Sequence, residues 1–169
     1  MERWFMAGDH PKDYELGVDQ AVVYDGKTSA YIRCVVEKPE GFGTMMQSFN
    51  ADAYRGKRMR FSAVVKSEDI IGWAGLWIRV DGPVRNEYLR FDNMRNRSVK
   101  GTTGWQRCEV VTDVPAESTS ICFGILLHGS GHAWLSDVRF EEVDDKVLVT
   151  ASAKSVRYAD KPGNLDFSE

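Results

Sequence analysis

From Gln20 onward the chain is a succession of about eight or nine short runs in which apolar and polar residues alternate, and no stretch carries a long helical pattern. An alternation of period two sends successive side chains to opposite faces of a strand, so each run needs an apolar layer on one side. Many such strands at regular spacing bury their inner faces by packing two sheets against each other. The fold class expected is therefore all-β: an antiparallel two-sheet β-sandwich of the jelly-roll kind. A chain of 169 residues suffices for one such domain with a sizeable core. Residues 1–145 are expected to form the sandwich.

Individual runs fix which residues face inward. Ile32, Cys34 and Val36 share one side of a run that follows the Asp25-Gly26 turn pair. Met59, Phe61, Ala63 and Val65 form the inner face of another run, and Ile121, Phe123, Ile125 and Leu127 that of a third. The piece NADAYRGK suits one helical turn, with Asn50 as its cap and Gly56 ending it. Residues 1–19 read as irregular, anchored by Trp4, Phe5 and Tyr14.

The stretch Gly72–Asn93 carries the functional signal. It holds two of the five tryptophans and divides at Gly82-Pro83 into two strand-like runs. Leu76, Ile78 and Val80 alternate with Trp77, Arg79 and Asp81; Leu89 and Phe91 alternate with Tyr88, Arg90 and Asp92. Paired side by side, the runs are expected to present Trp77, Arg79, Asp81, Tyr88, Arg90 and Asp92 on one surface. Aromatic faces, guanidinium groups and carboxylates together suit a polar ligand held by stacking and bidentate hydrogen bonds. The same residues also suit ordinary cross-strand Arg–Asp pairs beneath a covering element. Phe91 and Trp105 read as core, and the faces of Trp73 and Trp134 are not fixed by parity.

Other chemistries find no support. Net charge is −3 and the cations are dispersed, so direct nucleic-acid binding is not expected, and no helix-turn-helix pattern is present. No apolar run approaches the roughly 20 residues of a membrane-spanning helix, and the N-terminus lacks a secretory layout. Cys34, Cys108 and Cys122 lie inside strand-like runs without paired spacing, which suits free thiols and a cytoplasmic location. His128 and His132 flank Gly-Ser-Gly, a hairpin turn rather than a metal pair. With no G-x-S-x-G elbow, cofactor loop or metal cluster, an enzyme is not expected.

Several short motifs resemble those of galactose-binding-like, carbohydrate-binding jelly rolls: GVDQ…YDGKTSAYI, TTGWQRCEVVTDVP and AWLSDVRFEEV. That resemblance implies a structural calcium held by oxygens of the early turn and the last strand, at Asp19, Asp25 and Asp137, with Ser136 where a second aspartate often stands. WFMAGDHPKDYELGVD, EGFGTMMQSF, GLWIRVDGP, FDNM and PGNLDF are similar to a small bacterial group often labelled AraC-type transcriptional regulators. The Trp/Tyr/Arg/Asp face of the two central runs points to a non-catalytic binding module for a carbohydrate or similar polar small molecule. The alternative is a cytoplasmic sensor or protein-interaction module associated with transcriptional regulation.

Residues 146–169 are expected to be a linker and a C-terminal strand. Leu165 and Phe167 would pack back on the sandwich as its missing edge, or reach a second copy to give a homodimer.

Overall fold

The computed structural model describes residues 1–153. Ten strands account for most of them: β1 (Phe5–Gly8), β2 (Tyr14–Tyr24), β3 (Lys27–Cys34), β4 (Phe42–Asn50), β5 (Arg58–Asp81), β6 (Tyr88–Asp92), β7 (Val99–Asp113), β8 (Ser120–His128), β9 (His132–Val143) and β10 (Ser152–Ala153). All pairings are antiparallel and run in the order β1-β4-β8-β5-β9-β3-β2, with β6 and β7 also on β5.

The ribbon folds into two layers because β5 belongs to both. Residues 58–68 of β5 lie between β7 and β9, whereas residues 73–81 pair with β8 and residues 78–81 also with β6. The sequence pattern suggests two separate strands here; the structure shows one strand with a corner. The corner is built by register shifts between Val65 and Ala74 and by Asp69 in a left-handed conformation (φ +52°). Gly72 permits it, since a Cβ there would stand 1.9 Å from the carbonyl oxygen of His128.

Between the layers the inner faces meet as the alternation requires. Met59, Phe61, Ala63 and Val65 from one layer, and Ile121, Phe123, Ile125 and Leu127 from the other, are all buried in one cluster. At its centre Phe61 and Phe123 stack in parallel, with centroids 4.2 Å apart and planes 9° apart. Full burial of a side chain of this size contributes about 1.5–3 kcal/mol. The three cysteines are unpaired, and burial pushes the Cys108 thiol up to about 11.

Two local expectations are corrected. Residues 1–19 are not irregular: β1 adds to the edge of β4, and β2 begins at Tyr14. The segment 51–56 forms hydrogen-bonded turns instead of a helical turn. The Tyr54 N–H donates to Ala51 O (2.8 Å), while the N–H of Gly56 (φ +78°) is drawn across to Val114 O (2.8 Å). At the other end, Asp25 (φ +47°) and Gly26 (φ +72°) form the tight turn between β2 and β3 that their sequence suggests. Residues 150–153 bridge β7 and β6: the Thr150 and Ala151 N–H groups donate to Val111 O on β7, and β10 pairs with β6. Leu165 and Phe167 lie outside the described residues.

Candidate functional site

The outer face of the layer β6–β5–β8–β4–β1 carries a cleft, and its composition follows from strand parity. With Leu76, Ile78 and Val80 facing the core, Trp73, Trp77, Arg79 and Asp81 must face outward. On β8 the same rule turns Cys122, Leu126 and His128 outward; on β4 it turns Phe42, Thr44 and Met46 outward. Of these, Trp73, Trp77, Arg79, Leu126, His128, Phe42, Thr44 and Met46 line a cleft of roughly 550 Å³ whose walls also include Ala7, Phe91, Asn93 and Arg95. Trp73 (9% exposed) and Trp77 (8%) pack with Met46, Cys122 and Leu126 into an apolar floor separate from the main core.

Trp77 is held by a polar chain beneath the floor. Its indole Nε1–H donates to Thr44 Oγ1 (2.7 Å), and that hydroxyl donates to Ile125 O (2.9 Å). The indole N–H is thereby satisfied by the protein, and the ring contributes an apolar surface. Arg79 and Asp81 form a bidentate pair along the strand (2.9 and 3.1 Å), so their charges cancel locally. Trp73 carries the Arg95 guanidinium 4.9 Å from its ring centroid, a cation–π contact at the cleft mouth.

The second run departs from the sequence expectation. β6 aligns Phe91 with Arg79 and Asp92 with Ile78, and the register slips between Val80 and Asp81. The slip leaves Leu89 as an extra residue, so Tyr88 sits opposite Asp81 and packs at a tilt against Phe91 (ring centroids 5.5 Å). Thus Trp77, Arg79, Asp81 and Tyr88 share the outer face, but Arg90 and Asp92 do not: Arg90 lies opposite Val80 and donates to Leu89 O (2.7 Å). Phe91, expected in the core, lines the cleft instead.

Asp92 has another task. It is buried, and Oδ2 accepts from Arg97 (2.6 Å) and from Thr150 Oγ1 (2.5 Å), while Oδ1 accepts the Met94 N–H (3.1 Å). Arg97 also donates to Glu109 O (2.8 Å). This carboxylate therefore fixes the left-handed turn at Met94 (φ +59°) that carries Arg95 to the cleft. Trp134, on the opposite layer, stacks on His132 at 3.6 Å. Trp105 lies half-buried against Tyr24 at 5.7 Å.

Asp19, Asp25 and Asp137 do not fit a calcium ion. Asp137 is clasped by Lys27 (2.6 Å), Arg107 and Arg139 (2.8 Å), and Lys27 above all holds its carboxyl below the usual carboxylate range. Cationic side chains therefore stand where a metal would need to be. Asp19 spends Oδ1 on the Ala21 and Val22 N–H groups and Oδ2 on the Trp134 indole (3.0 Å), and Asp25 forms the turn. No cluster of three or more His, Cys, Asp or Glu side chains suited to a metal exists among the described residues, and His128 and His132 belong to different layers.

Parity could have found Leu126 and Met46: large apolar residues lie on both faces of their strands, which marks a second apolar surface. Trp73 was obscured by the corner, and Arg95 and Asn93 lie in a loop with no periodic signal.

No helix among the described residues is long and apolar enough to cross a membrane. No family model matches the chain. It is 42% identical over 170 residues to an uncharacterized HTH-type transcriptional regulator, YbfP, of Bacillus subtilis (strain 168). That similarity takes in 100% of this chain and 57% of the regulator, so the chain spans a little over half the length of this relative. Among solved structures, the CBM22-1 and GH10 modules of Clostridium thermocellum xylanase 10B, complexed with xylohexaose, align with a TM-score of 0.60 and 13% identity, over 84% of this chain and 26% of that one. The CBM22-1 xylan-binding domain of Paenibacillus barcinonensis Xyn10C aligns with a TM-score of 0.58 and 17% identity, over 83% and 85%. A CBM61 module in complex with β-1,4-galactotriose aligns with a TM-score of 0.52 and 12% identity, over 84% and 90%. The chain has the β-sandwich fold of these carbohydrate-binding modules.

Proposed function

We propose that the cleft over Trp73 and Trp77 binds a carbohydrate, or a polar small molecule of similar shape, without transforming it. The observation that carries this reading is the cleft itself: aromatic and apolar side chains form its floor, and a few polar groups stand at its rim. Sugar rings offer apolar faces to such a floor and hydroxyls to such a rim. The fold similarity to modules that bind xylan and galactotriose supports the same reading. A non-catalytic role is favoured by the carboxylates. Hydrolysis of a glycosidic bond generally needs two carboxyl groups flanking it, whereas no Asp or Glu lines the cleft. Asp81 is paired with Arg79, and Asp92 faces away from it.

The likeness to an HTH-type regulator supports a setting for this binding. In it, the domain reports ligand occupancy to a transcriptional partner or neighbouring domain. The test is a thermal-shift screen with neutral and acidic oligosaccharides, followed by titration of Trp73→Ala. A rise in melting temperature that this variant loses supports binding in the cleft. Absence of any shift across the panel, or full retention by Trp73→Ala, overturns it.

A further inference from the structure

We infer that the cleft selects a ligand bearing a carboxylate beside its apolar face, an oligosaccharide containing uronate or another acidic sugar, and that Arg95 reads the charge. The inference rests on the carbohydrate reading above and narrows it to a ligand class.

The charge balance of the cleft differs from that of the chain. The protein has more acidic than basic residues, 25 against 22, yet the lining includes Arg79, Arg95 and His128 and no carboxylate. The two arginines are not equivalent. Arg79 is neutralised by its bidentate pair with Asp81. The guanidinium of Arg95 has no carboxylate or carbonyl partner among the described residues; its side-chain contact is the face of Trp73. Its neighbour Arg97 is fully engaged by Asp92, Asn96 and Glu109 O. One cation of the loop is thus spent on structure and the other is left at the cleft.

The surroundings suit an incoming anion. A guanidinium lying on an indole keeps its in-plane N–H donors for a planar acceptor, and a carboxylate matches them with two parallel hydrogen bonds. The loop is already ordered by the buried Asp92 carboxylate and by Met94, which is itself in the main core cluster. Arg95 therefore starts from a fixed backbone position, and little ordering remains to oppose binding. A neutral sugar can offer this donor set only hydroxyl oxygens, which make weaker hydrogen bonds to a guanidinium than a carboxylate does.

Calorimetric titration at fixed ionic strength with three matched pairs tests this: glucuronate-substituted against unsubstituted xylo-oligosaccharide, trigalacturonate against its methyl ester, and sialyllactose against lactose. The expected result is that the acidic member of at least one pair binds at least about tenfold more tightly, the size of one charge-assisted hydrogen bond. That advantage should vanish in Arg95→Ala, survive in part in Arg95→Lys, and shrink with added salt. Equal binding of both members overturns the charge preference and leaves the carbohydrate reading standing. An acidic advantage that persists in Arg95→Ala overturns the role of Arg95. Binding by no member of any pair overturns both readings.

Discussion

Asp92 accepts the guanidinium of Arg97 at 2.6 Å on the inner side of β6, while the adjacent Phe91 faces the cleft. The pair joins the β6 end to the loop that follows it, and Thr150 ties the same carboxylate to the segment after β9. Asp92→Asn keeps the shape but leaves Arg97 without its counter-charge. A loss of about 1.5–3 kcal/mol is expected, the worth of a hydrogen bond to a charged group. Urea unfolding should show it. In a double-mutant cycle with Arg97→Ala, the two losses should be clearly less than additive; simple additivity would refute the coupling.

Thr44→Val removes the acceptor of the Trp77 indole N–H at nearly constant volume. Leaving that donor buried and unsatisfied should cost about 1–3 kcal/mol. Adding Trp77→Phe to Thr44→Val removes the orphaned donor, so the second substitution should cost less in this background than in the wild type. Equal cost in both backgrounds would show that the hydrogen bond carries no weight.

Asp137 provides the pH dependence. Its carboxyl is held below its ordinary value of 3.8, chiefly by Lys27 and then by Arg107. The folded state thus favours the ionised form, so the stabilisation is present above the ordinary carboxylate range and is lost as pH falls through the lowered folded value. Asp137→Asn should be less stable than wild type at pH 7, with three cations left facing one another. The difference should narrow as the pH drops below about 4. A gap that stays constant into acid would contradict this.

Tyr14 binds turns at the end of the cleft. Its hydroxyl lies 2.7 Å from Gly41 O and 2.9 Å from Gly129 O, and accepts the Gly129 N–H at 3.1 Å. Burial pushes its phenol up to about 12. Tyr14→Phe should cost about 1 kcal/mol. In an ultraviolet alkaline titration, one tyrosine should ionise later than the rest, and this late step should be missing from the variant.

Much of the fold was legible because burial on one side only leaves a period-two record. The runs containing Phe61 and Phe123 show it, and the Asp25-Gly26 turn is written in residues that accept positive φ. The cleft was legible only where the record ran unbroken, from Leu76 to Asp81. One extra residue at Leu89 inverted the parity of β6, exchanging the places of Phe91 and Asp92, and no composition signal marks such a slip. The calcium ligands failed for a different reason. Asp137 stands on the last long strand, but what surrounds it is set by Lys27, Arg107 and Arg139, which converge from three strands.

The sharing of β5 between the layers governs how the molecule comes apart. Separate strands could let one sheet fray while the other persisted. Here the amides of Val64 and Leu76 belong to one continuous strand, and peeling either sheet strips a flank from the same backbone. Unfolding should therefore be all-or-none, and hydrogen exchange at Phe61, Val64, Leu76 and Ile78 should occur with one common opening free energy. The cleft floor would then melt only with the entire protein, and so would survive as a preformed surface at every temperature at which the protein is folded.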